Sequence, residues 1–238
     1  MQRPSAKHYK AALRVIGYLV KTKHLGITYG GKLRVPYGLR EMPDGFIDAR
    51  GLHVYHDSSW GRSPHPMGGH VVMYVNGAIC WSAKAIKIVP HSTCEAETAS
   101  GSRAVMDVLF IRKILEHLGR GVRTPTPALG DSKATYDLVR KAGTTARTRY
   151  FERATLFIKR AYILLVIEPI LIGTAYMVAD VFTKATERTT FTTMRDIMMN
   201  ANGTLMDKLR LSMGGLHGKA GRLCAQLVDT LGKRDATY

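Results

Sequence analysis

The chain has 238 residues, 45% hydrophobic and 22% charged, values that allow a sizeable core in one large domain or a medium one with appendages. They exclude a disordered tail, a collagen-like fibre and a disulfide scaffold. Lys and Arg number 35 against 18 Asp and Glu, a formal charge of +17 that points to a polyanionic partner, nucleic acid first and an anionic membrane second. Cys80, Cys94 and Cys224 leave an odd thiol without metal-ligand spacing, which points to a reducing intracellular compartment, cytoplasm or nucleus. The best apolar run, 161–173, is broken by Glu168 and Pro169 and falls short of the roughly 20 residues a membrane span needs.

In chain order, the spacing of Tyr9, Leu13, Ile16 and Val20 predicts an amphipathic helix over 5–23, with Ser5 as N-cap and Gly26 beyond its end. No acid precedes Glu41, while Arg3, Lys7, Lys10, Arg14, Lys21, Lys23, Lys32, Arg34 and Arg40 are basic. That describes a mitochondrial-type targeting segment as well as a basic surface helix. Residues 27–50 are rich in Gly, Pro and charge and read as a linker. Strands are predicted at Leu52–Asp57, Gly69–Val75 and Ala78–Ala83, the last two joined by an Asn76-Gly77 hairpin turn. The period turns helical from Thr93 to Leu118. A strand at Pro127–Gly130, helices at Ser132–Lys141 and Arg147–Ala161, a strand at Leu164–Ile172 and a short helix at Tyr176–Lys184 follow. Pro169 confines its strand to a sheet edge. The pattern gives an α/β fold, a mixed sheet flanked by helices. Beyond Thr186 a basic tail rich in Met and Leu reads as short helices without a core of their own.

Acids are scarce, so their positions carry information. Asp57 ends the first strand, Asp131 follows a later strand, and Asp180 lies on the late helix four residues before Lys184. Local roles exist for each: a turn aspartate, a helix N-cap and an i,i+4 surface pair. Ser92 and Glu95 have capping-box spacing, which leaves Glu97 without a local explanation. Together, however, these carboxylates can converge on one rim of a sheet, where hard oxygen ligands bind Mg²⁺ or Mn²⁺. Two such ions about 4 Å apart can clamp a phosphodiester, one activating water and the other stabilising the leaving oxygen. Arg147, Arg149, Arg153, Lys159 and Arg160 on the basic helix make either a solvated face or a phosphate-tracking one. Trp60 and Trp81 are expected in the core, and the methionines as gap-filling packing. His53, His56, His65, His70 and His91 lack zinc-ligand spacing.

The order Asp57, Glu97, Asp131, Asp180 on strand, helix, strand end and late helix resembles ribonuclease H, and more closely the ribonuclease H domain of copia-type retrotransposon Pol polyproteins. The resemblance is carried by Tyr55-His56-Asp57-Ser58-Ser59-Trp60-Gly61, by Ile79-Cys80-Trp81 with Ser92-Thr93-Cys94-Glu95-Ala96-Glu97, by Gly130-Asp131-Ser132-Lys133-Ala134, and by Val178-Ala179-Asp180-Val181-Phe182-Thr183-Lys184. Upstream, Met1-Gln2-Arg3-Pro4 through Tyr29 is similar to the stretch joining that family's reverse transcriptase to its ribonuclease H. It implies a ribonuclease H-like mixed five-stranded sheet over residues 51–186, after a basic helix and linker over 1–50 and before a helical tail over 187–238. It also implies Asp57, Glu97, Asp131 and Asp180 as catalytic ligands of two Mg²⁺, and hydrolysis of the RNA strand of RNA–DNA hybrids to 5′-phosphate and 3′-hydroxyl ends. The pattern departs from the family at Met67-Gly68-Gly69-His70, Ala85-Ile86 and Arg149-Tyr150. These departures, the basic tail and the acid-free start support an alternative: a non-catalytic structural RNA-binding part of a ribonucleoprotein such as an organellar ribosome.

Overall fold

The structure is a computed structural model and describes residues 5–29, 51–61, 66–141 and 151–200. Five strands form one sheet: β1 (His53–Ser58), β2 (Met67–Tyr74), β3 (Gly77–Ala85), β4 (Thr126–Gly130) and β5 (Ile167–Leu171). Their spatial order is β3-β2-β1-β4-β5. β1, β2 and β3 are antiparallel neighbours, while β4 runs parallel to both β1 and β5. This is the five-stranded mixed sheet expected from the sequence. Pro169 sits on β5, an edge strand, where its missing N–H interrupts no ladder on the outer side.

Side-chain alternation along β1 divides the interior. Val54 faces α2 (Thr93–His117) and α4 (Glu152–Ile163), packing with Val105, Val108 and Ile158. Tyr55 faces the other way, into a cluster with Val71, Met73, Met177 and Val178. That second cluster includes Met194 and Ile197 of α6 (Arg188–Met199). The first part of the expected tail therefore shares the core of the domain, and the folded unit runs on to Asn200 instead of ending at 186. Sequence periodicity missed this because α6 presents a short apolar stripe between charged and Thr residues. The rest of the expected tail, 201–238, lies outside the described residues. Methionine as gap-filler holds for Met73, Met177 and Met194.

The N-terminal helix α1 (Ala6–Lys21) forms where periodicity placed it, yet none of its residues is buried. Tyr18 ties it to α6, edge-to-face on Phe191 and within 3.4 Å of Arg195 Nη1. The following segment, expected as linker, docks in part. The Thr28 N–H donates to Met199 O, and Tyr29 Oη donates to Ala78 O. The β2–β3 hairpin is shifted from the expected register. Tyr74 pairs with Gly77, so the two loop residues are Val75 and Asn76, at φ +49° and +70°, one position earlier than Asn76-Gly77. Gly77 is required for a different reason: a Cβ there would lie 2.7 Å from the Tyr29 ring.

The remaining helices are α3 (Lys133–Arg140) and α5 (Asp180–Thr183), the latter preceded by a 3₁₀ turn at Thr174–Tyr176. Trp60 and Trp81, expected in the core, are 45% and 56% exposed. Trp60 lies just past the end of β1 with its indole N–H on Pro90 O, and Trp81 stands on the outer strand β3. Among the described residues no helix is long and apolar enough to cross a membrane.

Candidate active site

Parallel β1 and β4 end at the same rim, and each delivers an aspartate there: Asp57 from β1 and Asp131 just past β4. The N-terminus of α2 starts at this rim as well. Ser92 accepts from the Glu95 N–H at 3.2 Å, while Glu95 turns back to accept from the His91 N–H at 2.8 Å. Glu95 is thus spent on capping, and Glu97, half a turn on, points inward. Glu97 Oε1 accepts from the Ser58 N–H and from Ser58 Oγ, at 3.2 and 2.8 Å. Asp131 is not the N-cap of α3; Ser132 is, which leaves the Asp131 carboxylate for the rim.

Asp57, Glu97 and Asp131 each place one carboxylate oxygen within 4.8 Å of the others. Asp57 is 1% exposed and Glu97 3%. Burial, and then the Asp57 charge, push the Glu97 carboxyl up to about 8. Burial also raises Asp57, to about 6, against a Thr183 hydrogen bond and the Lys184 charge that pull it down. Buried like charges without a counter-ion are unfavourable, and protonation is one relief. The second oxygen, Glu97 Oε2, is buried and has no hydrogen-bond partner among the described residues. An acceptor left open beside two other carboxylates fits a hard divalent cation.

The fourth expected carboxylate arrives differently. Asp180 is outside the close trio; its Oδ1 lies 2.9 Å from Lys184 Nζ, which also lies 3.3 Å from Asp57 Oδ1. The expected i,i+4 pair exists, but it bridges to the buried Asp57 instead of standing on the surface. Thr183 Oγ1 donates to Asp57 Oδ2. This close approach depends on Gly69, the partner of Asp57 across the β1–β2 ladder. A Cβ on Gly69 would stand 2.6 Å from Phe182 Cβ and 2.8 Å from Thr183 Cγ2. Ser100 Oγ completes the support, donating to Asp57 O at 2.7 Å. Sequence reasoning did not single out Ser58, Gly69, Ser100 or Thr183 as parts of the site. Met67-Gly68-Gly69-His70 was visible only as a departure from the family pattern.

Of the five basic residues, Arg153 and Arg160 are exposed on α4, whereas Lys159 is buried and its ammonium donates to Lys141 O at 2.9 Å. Lys159 therefore holds the end of α3 against α4 and does not share the exposed face. Arg147 and Arg149 lie outside the described residues.

Known proteins are similar to parts of this chain. A transposon Ty5-1 protein of Saccharomyces cerevisiae is 29% identical over 112 residues, covering 45% of this chain and 32% of the yeast protein. The retrovirus-related Pol polyprotein from transposon TNT 1-94 of Nicotiana tabacum is 23% identical over 204 residues, covering 85% of this chain and 14% of the polyprotein. The chain is a relative of retrotransposon Pol polyproteins. It spans less than a third of the length of either relative. Among solved structures, the N-terminal RNase H domain of a Mycobacterium tuberculosis protein aligns with a TM-score of 0.42 and 16% identity, over 62% of this chain and 92% of that one. No protein-family model matches the chain.

Proposed function

We propose that the chain is a metal-dependent ribonuclease H of retrotransposon origin, cutting the RNA strand of RNA–DNA hybrids. The observation that carries this reading is the convergence of Asp57, Glu97 and Asp131 on one rim, with Glu97 Oε2 open to a cation, in a chain of formal charge +17. Relationship to Pol polyproteins supports the same reading. Asp57, Glu97 and Asp131 would hold Mg²⁺ or Mn²⁺, with Asp180 as the fourth carboxylate of a two-ion site. Divalent ions held there lower the pKa of water and offset charge on a phosphodiester.

The protein's own groups set up that chemistry. Ser58 fixes one Glu97 oxygen and leaves the other free; Thr183 and Ser100 fix Asp57 by side chain and backbone. Thr174 Oγ1 donates to Asp131 Oδ2 at 3.0 Å and orients it. No histidine base is needed in this scheme. Arg153 and Arg160 would track phosphates, joined by Arg147 and Arg149, while Lys159 acts through the α3–α4 packing. The convergence of carboxylates favours an enzyme over a purely structural RNA-binding part, for which a cluster of buried acids would only be a cost.

The test is a labelled RNA–DNA hybrid incubated with the purified chain, with and without Mg²⁺, beside Asp57→Asn. Mg²⁺-dependent cleavage by the wild type and none by the variant is expected. Equal, undetectable cleavage by both would remove the catalytic reading.

A further inference from the structure

At the end of the sheet away from Asp131, a groove of about 940 Å³ lies between the last turns of α2 and the chain that leads into β4. Leu109, Val122 and Val166 give it apolar surface, and Lys113 and Arg123 line it beside a single acid, Glu116. Lys113 and Arg123 are exposed, as is Arg120 between Gly119 and Gly121 of the lining. None of these three bases has a carboxylate ion-pair partner among the described residues. The wall is fixed from behind. The Arg112 guanidinium donates to Val122 O, Thr124 O and Thr126 Oγ1, each at 2.8 Å, and the Thr126 N–H donates to Val166 O.

The chain leaves α2 and α4 beside this groove by the same left-handed turn. After α2, Gly119 stands at φ +68°, its N–H on Glu116 O and the Arg120 N–H on Leu115 O. After α4, Leu165 stands at φ +54°, its N–H on Tyr162 O and the Val166 N–H on Ala161 O. Glycine is the usual residue at this place, because a Cβ crowds the carbonyl in left-handed backbone. Leu165 carries a large apolar side chain there all the same, and holds it 62% exposed. Ile163 and Leu164 just before it, and Leu118 next to Gly119, are 73%, 61% and 68% exposed.

We infer that this groove is a docking site for an acidic, amphipathic segment of another protein. Leu164 and Leu165 anchor its apolar side chains, and Lys113, Arg120 and Arg123 take its carboxylates. The inference stands apart from hydrolysis at the opposite rim and does not depend on it. Large apolar side chains exposed together mark an interaction surface, and unpaired bases beside them select the sign of the partner's charge. A nucleic acid would meet the bases but leave the three residues from Ile163 to Leu165 against its phosphates. A second copy of this chain, at +17, would bring like charge to the groove. An acidic amphipathic segment complements both features. Leu165 suits an anchor, because its strained backbone holds the side chain out before the partner arrives.

The probe is a fluorescein-labelled amphipathic helical peptide of Leu, Ala and Glu, about eighteen residues or five turns long. Its control has the same composition scrambled, so that the charge stays and the apolar stripe is lost. Anisotropy is read against the full chain at about 0.15 M salt, where long-range attraction is screened. Wild type is expected to bind the amphipathic peptide in the micromolar range and the scrambled one about tenfold more weakly. Leu165→Gly is expected to weaken binding by about tenfold and, since glycine suits the left-handed turn, to melt no lower than wild type by circular dichroism. Lys113→Glu combined with Arg123→Glu is expected to weaken it at least as much; should that variant not fold, Leu165→Gly alone decides. Equal binding of the two peptides by wild type, no binding of either, or full binding by Leu165→Gly overturns the inference. So does a labelled RNA–DNA hybrid whose affinity drops in Leu165→Gly, which would assign the groove to nucleic acid. Sedimentation showing a wild-type dimer that Leu165→Gly abolishes would assign it to a second copy and overturn the inference likewise.

Discussion

Gly69 is the residue on which the site's geometry turns. Its backbone is in the ladder opposite Asp57, and helix α5 lies directly on it, with Phe182 Cβ and Thr183 Cγ2 in the space a side chain would fill. Gly69→Ala is therefore expected to overpack this contact and cost about 1–3 kcal/mol, measurable by urea unfolding. Hybrid cleavage should fall by more than stability does, because Thr183 and Lys184 move away from Asp57. His53 gives a second expectation, independent of the rim. Burial lowers its pKa from 6.5 to about 4, with a hydrogen bond to Gly51 O opposing. Between those values the unfolded chain takes up a proton that the native chain does not. The contribution is thus complete above pH 6.5 and is lost as pH falls toward 4, amounting to about 3 kcal/mol. Urea unfolding of wild type and His53→Asn at pH 7.5 and pH 4.5 should show a steeper loss for the wild type. Parallel losses would remove His53 from the account.

At the scale of elements, α6 behaves as core. Met194 and Ile197 lie in one cluster with Tyr55, Val71 and Met177, next to the strand that carries Asp57. Met194→Ala should cost about 2–5 kcal/mol, the range for removing a buried apolar side chain of that size. Truncation after Glu187 should abolish cooperative unfolding, whereas truncation after Asn200 should leave it. Circular dichroism melts of the two truncated chains decide this. The stripe of α6 was hard to read in the sequence because its buried positions are few, and because a Met-rich basic stretch also fits an exposed tail. The long helix α2 was easy, since twenty-five residues repeat the helical period many times. Between these cases lies the hairpin. Asn76-Gly77 announced a turn, but its register lies one residue earlier, with the Tyr29 ring packed against Gly77.

For the whole molecule, the excess of base over acid makes binding to nucleic acid an electrostatic matter. Affinity for a hybrid should fall steeply with salt, because phosphate contacts release counterions. Replacing both Arg153 and Arg160 by Glu should flatten the plot of log affinity against log salt by roughly 1 to 2 units if each meets a phosphate. Lys159→Gln should instead lower stability with little change in slope, since its ammonium is committed to Lys141 O. Fluorescence anisotropy across a salt series separates the two outcomes. A slope unchanged by the double charge reversal would place the phosphate contacts elsewhere on the surface.

The sequence by itself determined the order of strands and helices, the edge position of Pro169 and the carboxylates Asp57, Glu97 and Asp131. Each follows from local information: side-chain period, turn chemistry, capping by Glu95, and a short motif at a fixed place on an element. Tertiary structure decided which charges are shared. An i,i+4 pair of Asp180 and Lys184 looks alike in sequence whether it stands in water or closes on Asp57. The answer lies with Gly69, more than a hundred residues away, where the absence of one Cβ lets the late helix reach the buried aspartate. Lys159 and the two tryptophans teach the same lesson. Their exposure depends on which neighbours the chain brings past them, and residue type and spacing do not contain that.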